Sequence, residues 1–178
     1  MQPARGGDIL DDLLEDHLTI VFCGTRAGSA SAQRGAYYAG PGNRFWPTLH
    51  AIGLTPHQLR PEAYAQLLTY RIGLTDLAKT TAGQDADMTP DDFDVQRFWG
   101  NIRRHAPAIV AFTSKTAAAV SLGMRTGTLA YGRQVQRVAG AEIHVLPSTS
   151  GLATSYWNIA PWRDLATRAR ELGQHATA

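Results

Sequence analysis

Residues 18–24, LTIVFCG, form a short apolar run rich in β-branched residues that stops at Gly24, the pattern of a strand buried on both faces of a parallel sheet. Residues 108–112, AIVAF, repeat the pattern. There the chain continues through Ser114 into KTAAAVSLG, a small-residue helix with a serine cap, so the strand's carboxyl end opens onto a helix amino end. Residues 72–77, IGLTDL, read as another strand, and residues 135–138 and 143–146 supply the last ones. Helices are expected at about 8–17, where Ile9, Leu10, Leu13, Leu14 and Leu18 recur at helical spacing, and over 61–71. Others are expected after Asn43 (NRFWPTLHAIG), from a Thr89 cap to about His105, and from Thr154 onward. Strand and helix alternate, which predicts a three-layer α/β/α sandwich around a central, mainly parallel sheet of four to five strands, a single domain over residues 1–178.

At 178 residues and 19.3 kDa the chain can bury a core without disulfides or structural metal. Its 44% hydrophobic and 18% charged residues exclude an intrinsically disordered chain. No apolar run reaches about 18 residues, and the first stretch is acidic where an export signal is apolar, so no membrane association is expected. The single Cys23 excludes an internal disulfide and a multi-cysteine metal site, and points to a reducing cytoplasm. Net charge is only +2, but acid gathers at 8–16 and 85–94 and base at 97–104, 124–137 and 163–170. That separation either leaves one face positive for a polyanion or marks solvated helix faces.

In an open parallel sheet, ligands bind beyond the carboxyl ends of the strands. Three loops qualify: 24–42, 76–88 and 147–153. The first, with Gly28, Gly35, Gly40, Pro41 and Gly42, is far longer than the usual connection of about two to six residues. It holds neither a phosphate loop nor a dinucleotide fingerprint. The six histidines are scattered without zinc-ligand spacing, and Ser148, Ser150 and Ser155 lie outside any G-x-S-x-G elbow. No metal and no cofactor is expected.

What remains is GTRAGSASAQRGAYYAGPGNRFW, residues 24–46, after the first strand, and LPSTSGLATSYW, residues 146–157, after the last. This pair resembles the uracil-DNA glycosylase superfamily, closest to the mismatch-specific uracil and thymine-DNA glycosylases, whose first loop opens glycine-isoleucine-asparagine-proline-glycine and runs on to an N-R-F-W helix start. Asn43 to Trp46 match that start, and LLTYRIGLTDL (67–77) and SGL (150–152) follow in the same order. Two departures stand out. Arg26 and Ala27 occupy the places of the asparagine and proline, so the usual water-holding amide is missing. The LPSTS stretch looks instead like the hypoxanthine-DNA glycosylase branch.

The resemblance implies a monofunctional glycosylase that extrudes a nucleotide and hydrolyses its glycosidic bond in base excision repair. Tyr38 aligns with the aromatic that stacks on the flipped base, and Leu152, in a turn made flexible by Gly151, can enter the vacated space in the stack as an apolar wedge. Backbone N–H groups around Gly24, Thr25, Arg26 and Ala27 can face the departing base, and Asn43 can read its edge or cap the next helix. Ser31, Ser148, Thr149 and Ser150 suit phosphate contacts. For the attacking water the candidates are Asp76 and Asn43. Arg26 can meet a phosphate or the leaving oxygen, and Lys79 is the one candidate for a Schiff base, although simple hydrolysis is preferred. His144, Trp99, Trp157 and Trp162 read as packing residues. The implied partner is DNA carrying uracil or another deaminated base, met by a monomer in the cytoplasm at the nucleoid. Alternatives are excision of hypoxanthine or mismatched thymine, a non-catalytic damage- or abasic-site-binding module, and a nucleoside hydrolase.

Overall fold

Five strands form one sheet in the order β2-β1-β3-β5-β4, namely β1 (Ile20–Gly24), β2 (Ile72–Asp76), β3 (Ile109–Phe112), β4 (Gly132–Val138) and β5 (Ala141–Val145). This computed structural model describes residues 7–176; the ends of the expected domain, 1–6 and 177–178, lie outside them. The four strands β2, β1, β3 and β5 are parallel, and β4 pairs antiparallel with β5 at one edge. Every residue of β1, β2, β3 and β5 is buried, as the unbroken apolar runs require of strands covered on both faces.

Alternate residues of β1 feed two separate cores. Ile20 and Phe22 pack with Phe45, Trp46 and Leu49 of α2 (Phe45–Ala51) and with Trp162, Leu165 and Ala166 of α5 (Ala160–Ala176). Val21 and Cys23 pack on the other face with Phe98, Trp99 and Ile102 of α3 (Val95–His105) and with the alanines of α4 (Lys115–Leu122). The result is an α/β/α sandwich of three layers. Trp162 is fully buried, stacks on Phe22 with centroids 5.6 Å apart, and donates its indole N–H to the Pro147 carbonyl at 3.1 Å. Trp99 is likewise buried, whereas Trp157 is half-buried under the Arg44 guanidinium.

The predicted helix over 8–17 is not there. That segment is irregular, with bends at 9–10 and a turn at 16–17, and docks on β2 where Leu13 and Leu74 exchange backbone hydrogen bonds at 2.9 and 3.0 Å. Gly73 permits the approach, because a Cβ at that position would lie 2.6 Å from the Leu13 carbonyl oxygen. The leucines gain burial against the sheet, which outweighs helical periodicity in so short a stretch. Other expectations shift at their boundaries. The 61–71 helix is a 3₁₀ helix over Pro61–Tyr70, and Thr89 caps a short 3₁₀ turn at Pro90–Asp92, while Asp94 caps α3 through a 3.0 Å bond from the Arg97 N–H. Residues after Thr154 form a 3₁₀ turn, Thr154–Tyr156, before α5 begins. Ser114 caps α4 as expected, accepting from the Ala117 N–H at 3.0 Å.

Edge strand β4 is held by charge. Glu142, on β5 and only 2% exposed, accepts from Arg133 at 3.2 Å, Arg137 at 3.0 Å and Arg168 at 3.0 Å. The Arg168 hydrogen bonds, with the other two guanidiniums behind them, hold its carboxyl below the usual carboxylate range. A carboxylate with a lowered folded pKa stabilises the fold above that range and loses its contribution as pH falls through the folded value. Glu142→Gln is therefore expected to cost about 2–3 kcal/mol at pH 7, below the usual figure for a fully buried pair because two of the guanidiniums are half exposed. Urea unfolding at pH 7 and at pH 3.5 checks this, the deficit shrinking at the lower pH.

Candidate active site

The order β2-β1-β3 means that the chain leaves β1 toward one side of the sheet and later returns to build on the other. The carboxyl ends of β1 and β3 therefore flank a natural crevice. A cleft of about 910 Å³ opens there. Gly24, Thr25, Arg26, Ala27, Ser31, Tyr38 and Asn43 of the first loop line it, together with Asp76 at the end of β2 and Ser148, Thr149, Ser150, Gly151 and Leu152 of the last loop. Apart from Lys79, the sequence-predicted site residues thus share one cavity.

The floor is set by Gly24. A Cβ added there would stand 2.7 Å from Asp76 Oδ1, 3.3 Å from the Tyr38 hydroxyl and 3.5 Å from Thr113 Oγ1, so a carboxylate and two hydroxyls converge over bare backbone. Asp76 is 7% exposed. Tyr38 shares a 3.1 Å hydrogen bond with Thr113, and its ring stacks on Phe45 with centroids 3.9 Å apart and planes 17° off parallel. One ring face is thereby backed by the core while the side chain lines the cleft. Tyr38 also carries a left-handed backbone (φ +53°), a strained conformation for a tyrosine that the stacking and the hydroxyl bond hold in place.

The first loop is fastened to its neighbours. The Gly24, Thr25 and Ala27 carbonyls accept from the N–H groups of Leu77, Ala78 and Gly83 at 3.0, 2.8 and 3.0 Å. Arg26 adds side-chain bonds to the Gln84 carbonyl and to Thr81 Oγ1, so it ties the first loop to the second. Ser31 is buried and accepts from the Ala39 N–H at 3.0 Å, and Thr149 is buried while its carbonyl accepts from the Arg44 N–H at 2.9 Å. Ser31 thus braces the first loop on itself and Thr149 ties the last loop to the first, and each shows the cleft only a small part of its surface. Ser148 and Ser150 are less buried, and each accepts from a backbone N–H two residues on, which leaves their hydroxyl protons available. Asn43 Oδ1 accepts from the Phe45 N–H at 2.9 Å in a turn just ahead of α2, whose N-cap is Arg44 and not the expected Asn43, and its amide nitrogen is the group left for the cleft. Leu152 is 80% exposed at the rim.

Gly151 is where the last loop meets the first, since a Cβ there would lie 2.9 Å from the Pro41 carbonyl. Lys79 is 5% exposed and committed elsewhere, its ammonium 2.7 Å from Asp12 and 3.2 Å from the Tyr37 hydroxyl. Thr113 was not among the candidates. Its signal lay in the βα unit AIVAFTS, whose strand end belongs beside that of β1. Among the described residues no group of three His, Cys, Asp or Glu is arranged to hold a metal, and no helix is long and apolar enough to cross a membrane.

The uracil DNA glycosylase superfamily matches residues 12–166, which include every loop of this cleft. The chain belongs to that superfamily. It is also similar to the solution NMR structure of a Methanosarcina acetivorans protein provisionally named a uracil DNA glycosylase, with 20% identity, a TM-score of 0.66, and 90% of this chain and 96% of that one covered. At that identity the likeness concerns the fold.

Within this uracil-DNA-glycosylase-like cleft the phenols are held neutral. Burial, followed by the nearby Asp76 carboxylate, pushes both Tyr37 and Tyr38 well above the ordinary tyrosine range. Groups whose folded pKa is raised stabilise the fold below the unfolded value of about 10 and lose that contribution as pH climbs beyond it. Absorbance at 295 nm during alkaline titration is expected to show Tyr37 and Tyr38 ionising only as the protein unfolds, and Tyr38→Phe to remove one phenol from that late phase alone.

Proposed function

We propose that this protein is a monofunctional DNA glycosylase that removes uracil from DNA by hydrolysis. The observation that carries the reading is the meeting of a core-backed aromatic ring, a buried carboxylate and close-approach backbone in one cleft with a leucine exposed at its rim. An extruded uracil would stack on the free face of Tyr38, worth about 1–3 kcal/mol. The Asn43 amide nitrogen donates to a base carbonyl oxygen, which favours uracil over cytosine by donor and acceptor placement. As the glycosidic bond breaks, negative charge grows on the base and positive charge on the sugar. Peptide N–H groups of the first loop answer the former, and Asp76 answers the latter while orienting water toward the anomeric carbon. Asp76 takes the water because the Asn43 oxygen is already committed to the Phe45 N–H.

Lys79 supports hydrolysis over Schiff-base chemistry, since its ammonium is buried against Asp12 and lies off the lining of the cleft. Hypoxanthine is the second substrate to compare, because the LPSTS stretch that resembles the hypoxanthine-DNA glycosylase branch lines the same cleft through Ser148, Thr149 and Ser150.

Alkaline scission of oligonucleotides carrying uracil, hypoxanthine or a thymine mismatch tests the proposal. Uracil release by the wild type is expected, and a protein that binds these substrates without releasing any base would overturn it. Asp76→Asn is expected to slow release by about 10²–10⁴-fold under single-turnover conditions with binding little changed. Gly24→Ala, by pushing the Asp76 carboxylate aside, is expected to mimic it. Leu152→Ala is expected to weaken action on duplex more than on single strands, and borohydride to trap no adduct.

A further inference from the structure

Outside the cleft, large side chains stand in solvent where the rest of the fold hides its aromatics. Tyr156, on the 3₁₀ turn that follows the last loop, is 73% exposed, and Tyr131, immediately before β4, is 37% exposed. Ser114 and Thr116, on either side of Lys115, and Ala153, just ahead of the Tyr156 turn, all line the cleft, and burial followed by electrostatic interaction with Tyr156 raises the Tyr131 pKa. Lys115, the first residue of α4, holds its ammonium 4.4 Å from the centroid of the Tyr131 ring. Gly132 pairs with Val145 at the carboxyl end of β5, so the patch sits at the same end of the sheet as the cleft and continues the rim beyond Leu152.

Charge separates across the sheet in the same sense. Eleven of the fifteen acids fall at residues 8–16, which dock along β2, and at residues 76–94, which leave its end. Between Asp94 and Glu142 there is no Asp or Glu, and of the seven Lys or Arg residues there only Arg97 is spent on an acid of the β2 side, Asp8. The patch therefore lies at the β5-β4 side, with β1 and β3 between it and the acidic β2 edge. A polyanion that reaches the cleft meets least repulsion from this side.

We propose that Tyr156 and Tyr131, with Lys115, form a second nucleotide-binding surface on which an unpaired base of single-stranded DNA stacks beside the nucleotide held in the cleft. This rests on the reading of the protein as one that acts on DNA. Exposed ring faces suit an unpaired base, because a base within a duplex already has both faces covered and offers a tyrosine nothing to stack on. Lys115 meets the adjoining phosphate. The surface reads no sequence, since every base has a face to offer.

Fluorescence anisotropy with an undamaged oligothymidine strand, and with a duplex of equal length, tests the surface without requiring base release, so its outcome stands apart from that of the glycosylase assay. Tyr156→Ala is expected to weaken binding to the single strand by about five- to fiftyfold and to the duplex by less than twofold, with Tyr156→Phe within twofold of wild type. Lys115→Gln is expected to reduce the slope of log K against log salt by about 0.7. Equal losses on strand and duplex would assign the patch to duplex contact and overturn the proposal. So would an unchanged affinity in Tyr156→Ala, or a Tyr156→Phe loss as large as the alanine one. Thermal melting of each variant separates binding from folding.

Discussion

A missing side chain at Gly24 is the constraint on which the cleft depends. Three strand ends converge there, and the Asp76 carboxylate, the Tyr38 hydroxyl and Thr113 all use the volume a Cβ would claim. Because β1 is flanked on both sides by parallel partners, the position of Gly24 is fixed by two ladders, with Gly24 in register with Asp76 on one side and Cys23 with Phe112 on the other. The polar groups gathered over Gly24 thus inherit the rigidity of the sheet, while loops supply the walls. A site whose reacting groups sit on strand ends is better preorganised than one carried on loops alone.

Burial on both faces made the strands legible in the sequence, since β1, β2 and β3 read as short apolar runs ending at the residues that floor the cleft. The amino-terminal segment was not legible for a related reason. Its leucines carry helical spacing, but spacing registers only that one side is apolar, and the surface that covers it here is the edge of β2, exposed by Gly73. Among site residues, glycines and aromatics in the first loop announced a cavity. The hydroxyls did not divide themselves: Ser31 and Thr149 look like Ser148 and Ser150 in sequence, yet two are buried as loop fasteners and two stand at the rim. That distinction depends on which backbone N–H groups lie nearby, a tertiary fact. Thr113 went unremarked because attention fell on long loops, whereas its strand ends in a tight turn.

Cations near the cleft are spent on structure before chemistry. Arg26 stands where the resemblance led us to expect a water-holding amide, and its guanidinium spans to Thr81 and Gln84 and draws the second loop against the first. Lys79 neutralises Asp12, which in turn accepts from Thr75 at 2.7 Å, the residue next to Asp76. A buried ion pair behind the strand end gives little net stability, yet it fixes the direction in which that strand presents its last side chain. The carboxylate of Asp76 is thereby set among neutral phenols and hydroxyls on the side of the cleft, with a compensated charge behind it.

Opposite charges at the two sheet edges give the cleft a direction. The acidic segments that brace β2 are tied into the fold, Asp8 by Arg97 at 2.9 Å and Asp12 by Lys79, and they also make that edge unfavourable for a phosphate backbone. At the other edge the guanidiniums of Arg133 and Arg137 are half exposed, and one Glu142 carboxylate is shared among three arginines, so positive charge remains uncompensated. On the proposed function, nucleic acid drawn by this gradient would come over β4 and β5, the side on which Leu152 stands at the rim. The same arginines that pin the edge strand to its neighbour would then also set the side from which a polyanion is received.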